Sequence, residues 1–361
     1  MIKLTKELCE LALMGGLPLG GGGGGLLSAG REALEETFRH TDALTMLDVS
    51  ELDPDAVVVT VSTVGAPSAK DVHLTSQHWM TALKNFEEMT GQKIAGFISC
   101  ENGAISTANG WIISALTGIP IVDAPCNGRA HPTGTMGSMG LNTICDYMSV
   151  QSSCGGNPDR YIETVARGRL DTTARMTRQC AVASGGMVGV IRNPVTAAYL
   201  AKNGAVGAIS QAIALGKLYS SCASGGEFVS RLQETMDARV LAHGKIENYE
   251  LKMEGGLDVG RLDVAGPEGR VSLTFFNEYM LAERDGTRLA TFPDLICTLD
   301  AQTGEAISTA EAANGREAYA LVIPKEKLIL GAGMRQRSLF KEVEDLIHKD
   351  MTACNEGLFV D

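Results

Sequence analysis

The sequence has no long apolar run and no cluster of positive charge. No apolar segment reaches the roughly 20 residues that a membrane-spanning helix needs, because charged residues interrupt every candidate. The formal net charge is -12, and Lys and Arg nowhere form a run that could follow the phosphates of a nucleic acid. We therefore expect neither a membrane nor a nucleic acid as a partner.

The cysteines also lack a pattern. There are nine, an odd number, and none are in Cys-x-x-Cys spacing, which argues against both a disulfide framework and a structural zinc module. Residues 1–13 alternate charged and apolar side chains at helical spacing, without the apolar core and cleavage site of a signal peptide. We expect a cytoplasmic protein with reduced thiols.

The chain has 361 residues, more than one hydrophobic core usually serves, so two domains are expected. In residues 1–165 apolar strands alternate with helices, which predicts a doubly wound α/β domain with a mostly parallel sheet. Residues 166–243 look like a helical, Gly- and Ala-rich connecting region. Short strands separated by turns over 244–335 predict a β-barrel-like domain, and an amphipathic helix at 338–349 is expected to return to the first domain.

The functional site of such a domain is expected beyond the carboxyl ends of its strands, where loops and helix N-termini meet. The loops at 62–67, 100–103 and 123–132 qualify. The third contains a carboxylate, a thiol, an amide, a guanidinium and an imidazole within ten residues. These are Asp123, Cys126, Asn127, Arg129 and His131. Packing alone poorly explains so polar a group after an apolar strand, although Asp123 and Arg129 would also make a structural ion pair.

Each polar side chain of this loop has a candidate role and a structural alternative. Cys126 would be a nucleophile if Arg129 or a protonated His131 lowered its pKa, and otherwise an inert buried thiol. His131 would protonate a leaving group, or simply cap a turn. Asp123 would activate a water molecule. Arg129, with Asn127, would bind the substrate's anionic substituent or a developing oxyanion.

Two further sets of residues complete the candidate site. Asp123, Cys126 and His131 are a candidate zinc set that leaves a fourth position for water, although their spacing fits no familiar zinc motif. In the neighbouring loop Glu101 is a candidate base and Asn102 a candidate carbonyl-binding amide, or else Asn102 caps the next helix.

Six consecutive glycines, Gly20–Gly25, follow the first predicted helix. A dinucleotide fingerprint would follow a strand, and a P-loop would end in Gly-Lys-Ser or Gly-Lys-Thr, so we expect no nucleotide. The backbone N–H groups of Gly22, Gly23 and Gly24 are candidates for binding an anionic or carbonyl group of a ligand. The alternative is tight helix packing.

Several motifs occur together in an order that is characteristic of one family. They are Gly20–Gly25, Cys100-Glu101-Asn102-Gly103, Ile119-Pro120-Ile121-Val122-Asp123 leading into Gly128-Arg129-Ala130-His131-Pro132, Phe276-Asn277-Glu278, and Phe292-Pro293-Asp294-Leu295-Ile296. Over nearly its whole length the chain resembles the S-methyl thiohydantoin desulfurase family. The resemblance implies an N-terminal three-layer α/β domain, a C-terminal β-barrel, and hydrolytic loss of methanethiol from an S-methylated thiohydantoin to leave a hydantoin.

The sequence therefore predicts a hydrolase for a small five-membered nitrogen heterocycle. Attack on the ring carbon between the two nitrogens would come from Cys126, or from water activated by Asp123 or a bound metal. One alternative is a metal-dependent hydrolase that opens a hydantoin, cyclic imide or lactam ring. Another is a non-catalytic protein that binds or senses a small molecule. We also expect a homo-oligomer.

Overall fold

The computed structural model describes residues 1–66, 68–254 and 257–360. Pro67, at the end of the predicted 62–67 loop, lies outside the described residues. Within them the chain forms two eight-stranded β-sheets. The described helices include none whose length and apolar content would let it span a bilayer.

The first sheet has the strand order β1-β2-β5-β4-β3-β8-β6-β7. Its strands are β1 (Ile2–Leu4), β2 (Leu44–Leu47), β3 (Val57–Gly65), β4 (Ile94–Ser99), β5 (Ile121–Val122), β6 (Ser149–Gly155), β7 (Ile162–Gly168) and β8 (Met187–Thr196). The four strands β2, β5, β4 and β3 run parallel to one another. The pairings of β1 with β2 and of β3, β8, β6 and β7 are antiparallel.

The first sheet is thus mixed, and the prediction of a mostly parallel sheet is wrong. The difference arises from β6, β7 and β8, which the pattern of apolar residues did not indicate as strands. A short connection joins β6 to β7, and a connection of that length can only make an antiparallel pair. β8 comes from the segment expected to connect the domains, yet it pairs with β3 near the middle of the sheet.

Ten helices are found in the described part of the chain. They are α1 (Lys6–Leu19), α2 (Leu27–Thr37), α3 (Ser76–Thr90), α4 (Ala104–Thr107), α5 (Trp111–Thr117), α6 (Leu170–Ala183), α7 (Ala197–Asn203), α8 (Ala208–Ser220), α9 (Gly225–Met236) and α10 (Arg337–Ile347). α1 and α8 pack so closely that a Cβ on Gly15 would lie 1.8 Å from the carbonyl oxygen of Ala212. This contact fixes the end of α1, from which the glycine loop begins.

Both faces of the first sheet are covered. On one face Val61 and Phe97 pack with Trp79 of α3 and Trp111 of α5. On the other face apolar side chains of β3, β4 and β5 pack against the starts of α6 and α7, together with the thiol of Cys126. The carboxyl ends of the parallel strands open into loops between these layers.

The second sheet is entirely antiparallel, with the order β13-β12-β11-β10-β9-β16-β14-β15. Its strands are β9 (Arg239–Glu254), β10 (Leu257–Gly266), β11 (Gly269–Phe276), β12 (Glu278–Arg284), β13 (Thr287–Thr291), β14 (Leu295–Asp300), β15 (Ala306–Ile307) and β16 (Glu317–Ile323). The all-β character expected for this part is confirmed. Among the described residues β13 and β15 are unpaired edges of the sheet, so closure into a barrel stays a prediction.

The C-terminal helix α10 lies over the second sheet. Its buried side chains Phe340 and Val343 share an apolar cluster with Phe276, Met280 and Phe292. Met136 of the first domain belongs to the same cluster, and the expected return of this helix to that domain stays a prediction.

Candidate active site

A cavity of about 300 Å³ lies where the two sheets meet. The loops after β3 and β4 and the segment 131–135 form one side. The glycine loop, α6, β8 and the turn before β12 form the rest. A volume near the lower end of the range for ligand pockets suits a small molecule.

Glu101 and His131 form a buried pair in this cavity. The Oε2 atom of Glu101 lies 3.2 Å from Nε2 of His131 and accepts a hydrogen bond of 3.1 Å from the backbone N–H of the same residue. Its other oxygen, Oε1, accepts from the hydroxyl of Ser106 at 2.9 Å. The sequence placed these two residues in separate loops, and the parallel strands β4 and β5 bring the loops together.

The surroundings of His131 define where its protons lie. Nδ1 is 2.9 Å from the carbonyl oxygen of Thr133, which only accepts, so Nδ1 carries a hydrogen. A proton on Nε2 is therefore one that the ring shares with Glu101. Burial lowers the pKa of His131, and the negative charge of Glu101 offsets only part of that effect. These surroundings favour the neutral imidazole, which can accept a proton.

Glu278, the first residue of β12, is a second carboxyl group in the cavity. Its side chain is buried, and its Oε2 atom has no hydrogen-bond partner within the described residues. Burial raises the pKa of Glu278 well above its usual value, and the negative charge of Glu101 raises it further. The positive charges of Arg129 and Arg178 offset part of this rise, so the surroundings still favour the protonated form of Glu278, which is placed to donate a proton.

Glu278 was not among the predicted site residues. The sequence contained a signal for it, since a carboxylate two residues after a pair of phenylalanines at the end of an apolar strand is expensive to bury. The preceding residue, Asn277, has a φ of 57°, and this turn directs the chain from β11 into β12. Sequence spacing could not indicate that the turn meets the first sheet.

Of the three glycines predicted to bind a ligand, only Gly24 lines the cavity, next to Gly25. Gly22 is tied to the second sheet, because its carbonyl oxygen accepts from the backbone N–H of Thr309 at 2.8 Å. A Cβ on Gly23 would lie 2.0 Å from Oε1 of Glu278. The loop therefore consists of glycine partly because backbone and the Glu278 carboxyl group are in direct contact.

Asp123 and Cys126 lie outside the cavity lining. Asp123 accepts hydrogen bonds from the backbone N–H groups of Ile209 and Ser210 at 2.8 and 3.3 Å, at the start of α8. Cys126 is 1% exposed, and its sulfur lies 3.2 Å from the hydroxyl of Thr60 in the core. Burial raises the pKa of Cys126 to about 11, so it is a thiol at neutral pH. We therefore do not assign the nucleophile to Cys126.

Arg129 is fully buried and binds backbone rather than an open site. Its Nη1 atom donates to the carbonyl oxygens of Pro293 and Asp294 at 3.1 and 2.7 Å, and its guanidinium lies over the ring of Phe292. Burial lowers the pKa of Arg129 to about 10, which still leaves it charged at neutral pH. The residue connects the 123–132 loop to the second sheet.

The side-chain amides of Asn102 and Asn127, both predicted to bind the substrate, form hydrogen bonds with the backbone instead. Asn102 donates to the carbonyl oxygen of Ala208 at 2.7 Å. Asn127 donates to the carbonyl oxygen of Arg129 at 2.8 Å and accepts from the backbone N–H of Gly331 at 3.0 Å. Neither lines the cavity, so both hold loops in place around it.

The candidate zinc set does not converge. Asp123 is at the start of α8, Cys126 is in the core beside Thr60, and His131 is paired with Glu101. Across residues 1–66, 68–254 and 257–360, no three His, Cys, Asp or Glu side chains are grouped in a way that could hold a metal ion. These three residues do not fit the proposed zinc ligation.

Two models of a known protein family match most of the chain. Models described as the S-Me-THD-like N-terminal domain and the S-Me-THD-like C-terminal domain match residues 8–158 and 169–333. The chain belongs to the S-Me-THD-like family. The resemblance predicted from the sequence motifs is thereby confirmed. No curated protein matches this chain.

A similar fold is found in a crystal structure of a protein from Chromobacterium violaceum. The two chains share 20% sequence identity, with a TM-score of 0.74 over 96% of this chain and 97% of the other. At this level of identity the match supports the fold only.

Both S-Me-THD-like domains contribute to the cavity. Glu101 and His131 belong to the N-terminal family segment, whereas Glu278 belongs to the C-terminal one. Arg192 of β8 and Arg178 of α6, which the sequence reasoning missed, come from the C-terminal segment as well. In this S-Me-THD-like protein the site is thus complete only when the two segments are assembled.

Proposed function

We propose that this protein is a hydrolase that converts an S-methyl thiohydantoin and water into a hydantoin and methanethiol. Membership of the S-Me-THD-like family supports the substrate class. The observation that carries the reaction type is one small cavity that holds both the Glu101–His131 pair and the buried carboxyl group of Glu278, whose pKa is raised by that burial. Two groups with different protonation states in one site are typical of acid–base catalysis.

The Glu101–His131 pair acts as the general base in this proposal. It takes a proton from a water molecule as the water oxygen bonds to the ring carbon between the two nitrogens. The C=N double bond of that carbon opens, and the proton taken from water passes from the pair to its nitrogen, which becomes N–H. The result is a tetrahedral carbon that carries the hydroxyl and methylthio groups.

Glu278 acts as the general acid. As the carbon–sulfur bond breaks, the electron pair leaves with sulfur, and Glu278 donates the proton that completes methanethiol. The hydroxyl on carbon becomes the new carbonyl group of the hydantoin, and its proton passes through the pair to the Glu278 carboxylate, which restores the acid. Water thus supplies both the oxygen and the two hydrogens gained by the products, and no oxidation or reduction occurs.

The test follows free thiol and hydantoin when the purified protein is incubated with S-methyl thiohydantoin. Glu101→Gln and Glu278→Gln each remove a proton-transfer group and are expected to lower kcat roughly 10²- to 10⁴-fold. Glu268→Gln, a change at an exposed turn, is the matched control and should leave kcat unchanged. Because Glu278 must be protonated, wild-type kcat should fall as the pH rises through the raised pKa of this group.

Other outcomes would replace the proposal. Ring opening without thiol release would indicate a hydantoin, imide or lactam hydrolase. Tight binding of the heterocycle without any product would indicate a binding or sensor protein. Full activity in both Glu101→Gln and Glu278→Gln would mean that the chemistry is carried out elsewhere.

A further inference from the structure

Arg192 is a buried cation that has no partner in the described part of the chain. It lies on β8, it is 4% exposed, and it lines the cavity. Within the described residues its guanidinium makes no hydrogen bond or ion pair, and its Nε atom is completely enclosed. An isolated charge is costly to bury, and native structures rarely retain one that serves packing alone.

The polar neighbours of Arg192 form their hydrogen bonds with other groups. Its cross-strand neighbours are Thr60 and Gln151. The hydroxyl of Thr60 contacts Cys126, and the amide of Gln151 is bound to hydroxyl groups of β6 and α6. Glu101 is held by Ser106 and His131. The fold therefore leaves the donors of this guanidinium to something that is not part of the chain.

The backbone of Gly134 lies against the guanidinium. A Cβ on Gly134 would lie 2.9 Å from the Nη1 atom of Arg192, and both residues line the cavity, so the lack of a side chain at position 134 leaves that side of the group uncrowded. A planar guanidinium with free N–H groups can bind both oxygens of a carboxylate at once.

The same wall of the cavity is enriched in positive charge. Arg175 and Arg178, three residues apart on α6, line it together with Arg192. The pKa of Arg178 is lowered, first by burial and then by the positive charge of Arg192, which indicates that these two guanidinium groups are close. Asp171 and Glu342 also line the cavity and are exposed, as is Arg175, and the negative charge of Glu342 offsets part of the effect of Arg192 on Arg178.

We propose that Arg192 binds an anionic group of the substrate, and that the preferred S-methyl thiohydantoin carries a carboxylate on a short substituent at ring carbon 5. The proposal rests on the function proposed above for the identity of the ring. Because the cavity is about 300 Å³, the ring and a substituent of one or two carbons would fill much of it. The carboxylate would orient the ring relative to Glu101 and Glu278.

The first test measures binding without turnover. The ligands are the hydantoin with a carboxymethyl group at carbon 5 and its uncharged carboxamide, titrated calorimetrically into the wild type, Arg192→Gln and Arg192→Lys. The wild type should bind the acid roughly 10- to 100-fold more tightly than the amide, Arg192→Gln should bind both equally, and Arg192→Lys should retain part of the preference. Arg167→Gln, an exposed arginine on β7 outside the cavity, should behave as the wild type.

Equal affinity of the wild type for acid and amide, or no binding of either, would overturn the proposal. An unchanged preference in Arg192→Gln would do so too. The variant should fold, since removing an unpaired buried charge is expected to keep or raise the Tm. A lowered Tm, with loss of the far-ultraviolet circular dichroism of the wild type, would show that the arginine stabilises the fold. That result would also contradict the proposal.

Thiol release separates this inference from the proposed function. With the S-methylated acid and amide as substrates, a KM that is 10- to 100-fold lower for the acid and depends on Arg192 supports both ideas. Equal kcat/KM for the two substrates would leave the hydrolase intact and remove the anion site. No thiol from either, with the calorimetric preference still dependent on Arg192, would remove the hydrolase and leave the anion site.

Discussion

The two buried carboxyl groups of the cavity have opposite surroundings. Glu101 accepts hydrogen bonds from two donors, the hydroxyl of Ser106 and the backbone N–H of His131. Glu278 has an oxygen with no donor among the described residues, and it lies in contact with the glycine loop. Donors favour the carboxylate form, whereas burial without donors favours the acid. This contrast supports the proposed roles of Glu101 in the base and Glu278 as the acid.

At the scale of single residues, Cys126→Ser tests whether the thiol takes part in the reaction. Because Cys126 is enclosed beside Thr60 and its pKa is raised to about 11, we expect the variant to keep kcat/KM within about threefold of the wild type. The measurement is thiol release by protein whose circular dichroism matches that of the wild type. Near-total loss of turnover in a folded variant would restore Cys126 as the nucleophile.

The sequence located the site more accurately than it identified the residues. The 123–132 loop was selected because it follows an apolar strand, and His131 of that loop does reach the cavity beside Glu101. Asp123, Cys126 and Arg129 belong to the same loop but turn towards α8, the core and the second sheet. Residue types and their order indicate that a loop is polar, but the direction of each side chain depends on the elements packed around it.

At the scale of secondary structure, the strand β6 explains why part of the sheet was not predicted. It is completely buried, yet it contains Ser149, Gln151 and Ser153. Their polar atoms are satisfied laterally, for example by the 2.7 Å contact between the hydroxyls of Ser153 and Thr164 on β7. An apolar strand can be recognised from its own residues, whereas a buried polar strand requires knowledge of its partners.

Asp123 stabilises the start of the helix α8. Its carboxylate accepts from the N–H groups of Ile209 and Ser210, where the positive end of the helix dipole favours negative charge. Asp123→Ala is expected to lower the free energy of unfolding by about 1–3 kcal/mol, because these donors lose their acceptor in a buried site. Urea unfolding measures the loss, and Asp55→Ala at an exposed turn is the control.

The same variant distinguishes structure from chemistry. If Asp123 only holds α8, the folded fraction of Asp123→Ala should turn over substrate as fast as the wild type. A loss of about two orders of magnitude or more in turnover at unchanged stability would instead support a role for Asp123 as the group that activates water.

At the scale of the whole molecule, the cavity depends on how the two sheets are joined. Glu101 and His131 come from loops of the first sheet, and Glu278 comes from a turn of the second. Arg129 lies between them, donating from the 123–132 loop to carbonyl groups of residues 293 and 294. The length of the chain predicted two units, but only the fold reveals that the cavity lies between them.

Two buried arginines of this molecule are expected to respond to substitution in opposite ways. Arg129→Met would leave the carbonyl groups of Ala130, Pro293 and Asp294 without their donor, and we expect it to lower the free energy of unfolding by about 2–5 kcal/mol. Arg192→Gln removes a guanidinium without a partner in the described chain, and should leave stability unchanged or higher. Urea unfolding followed by the fluorescence of Trp79 and Trp111 measures both. Equal destabilisation by the two substitutions would contradict this division, in which one arginine joins the sheets and the other is kept for a ligand.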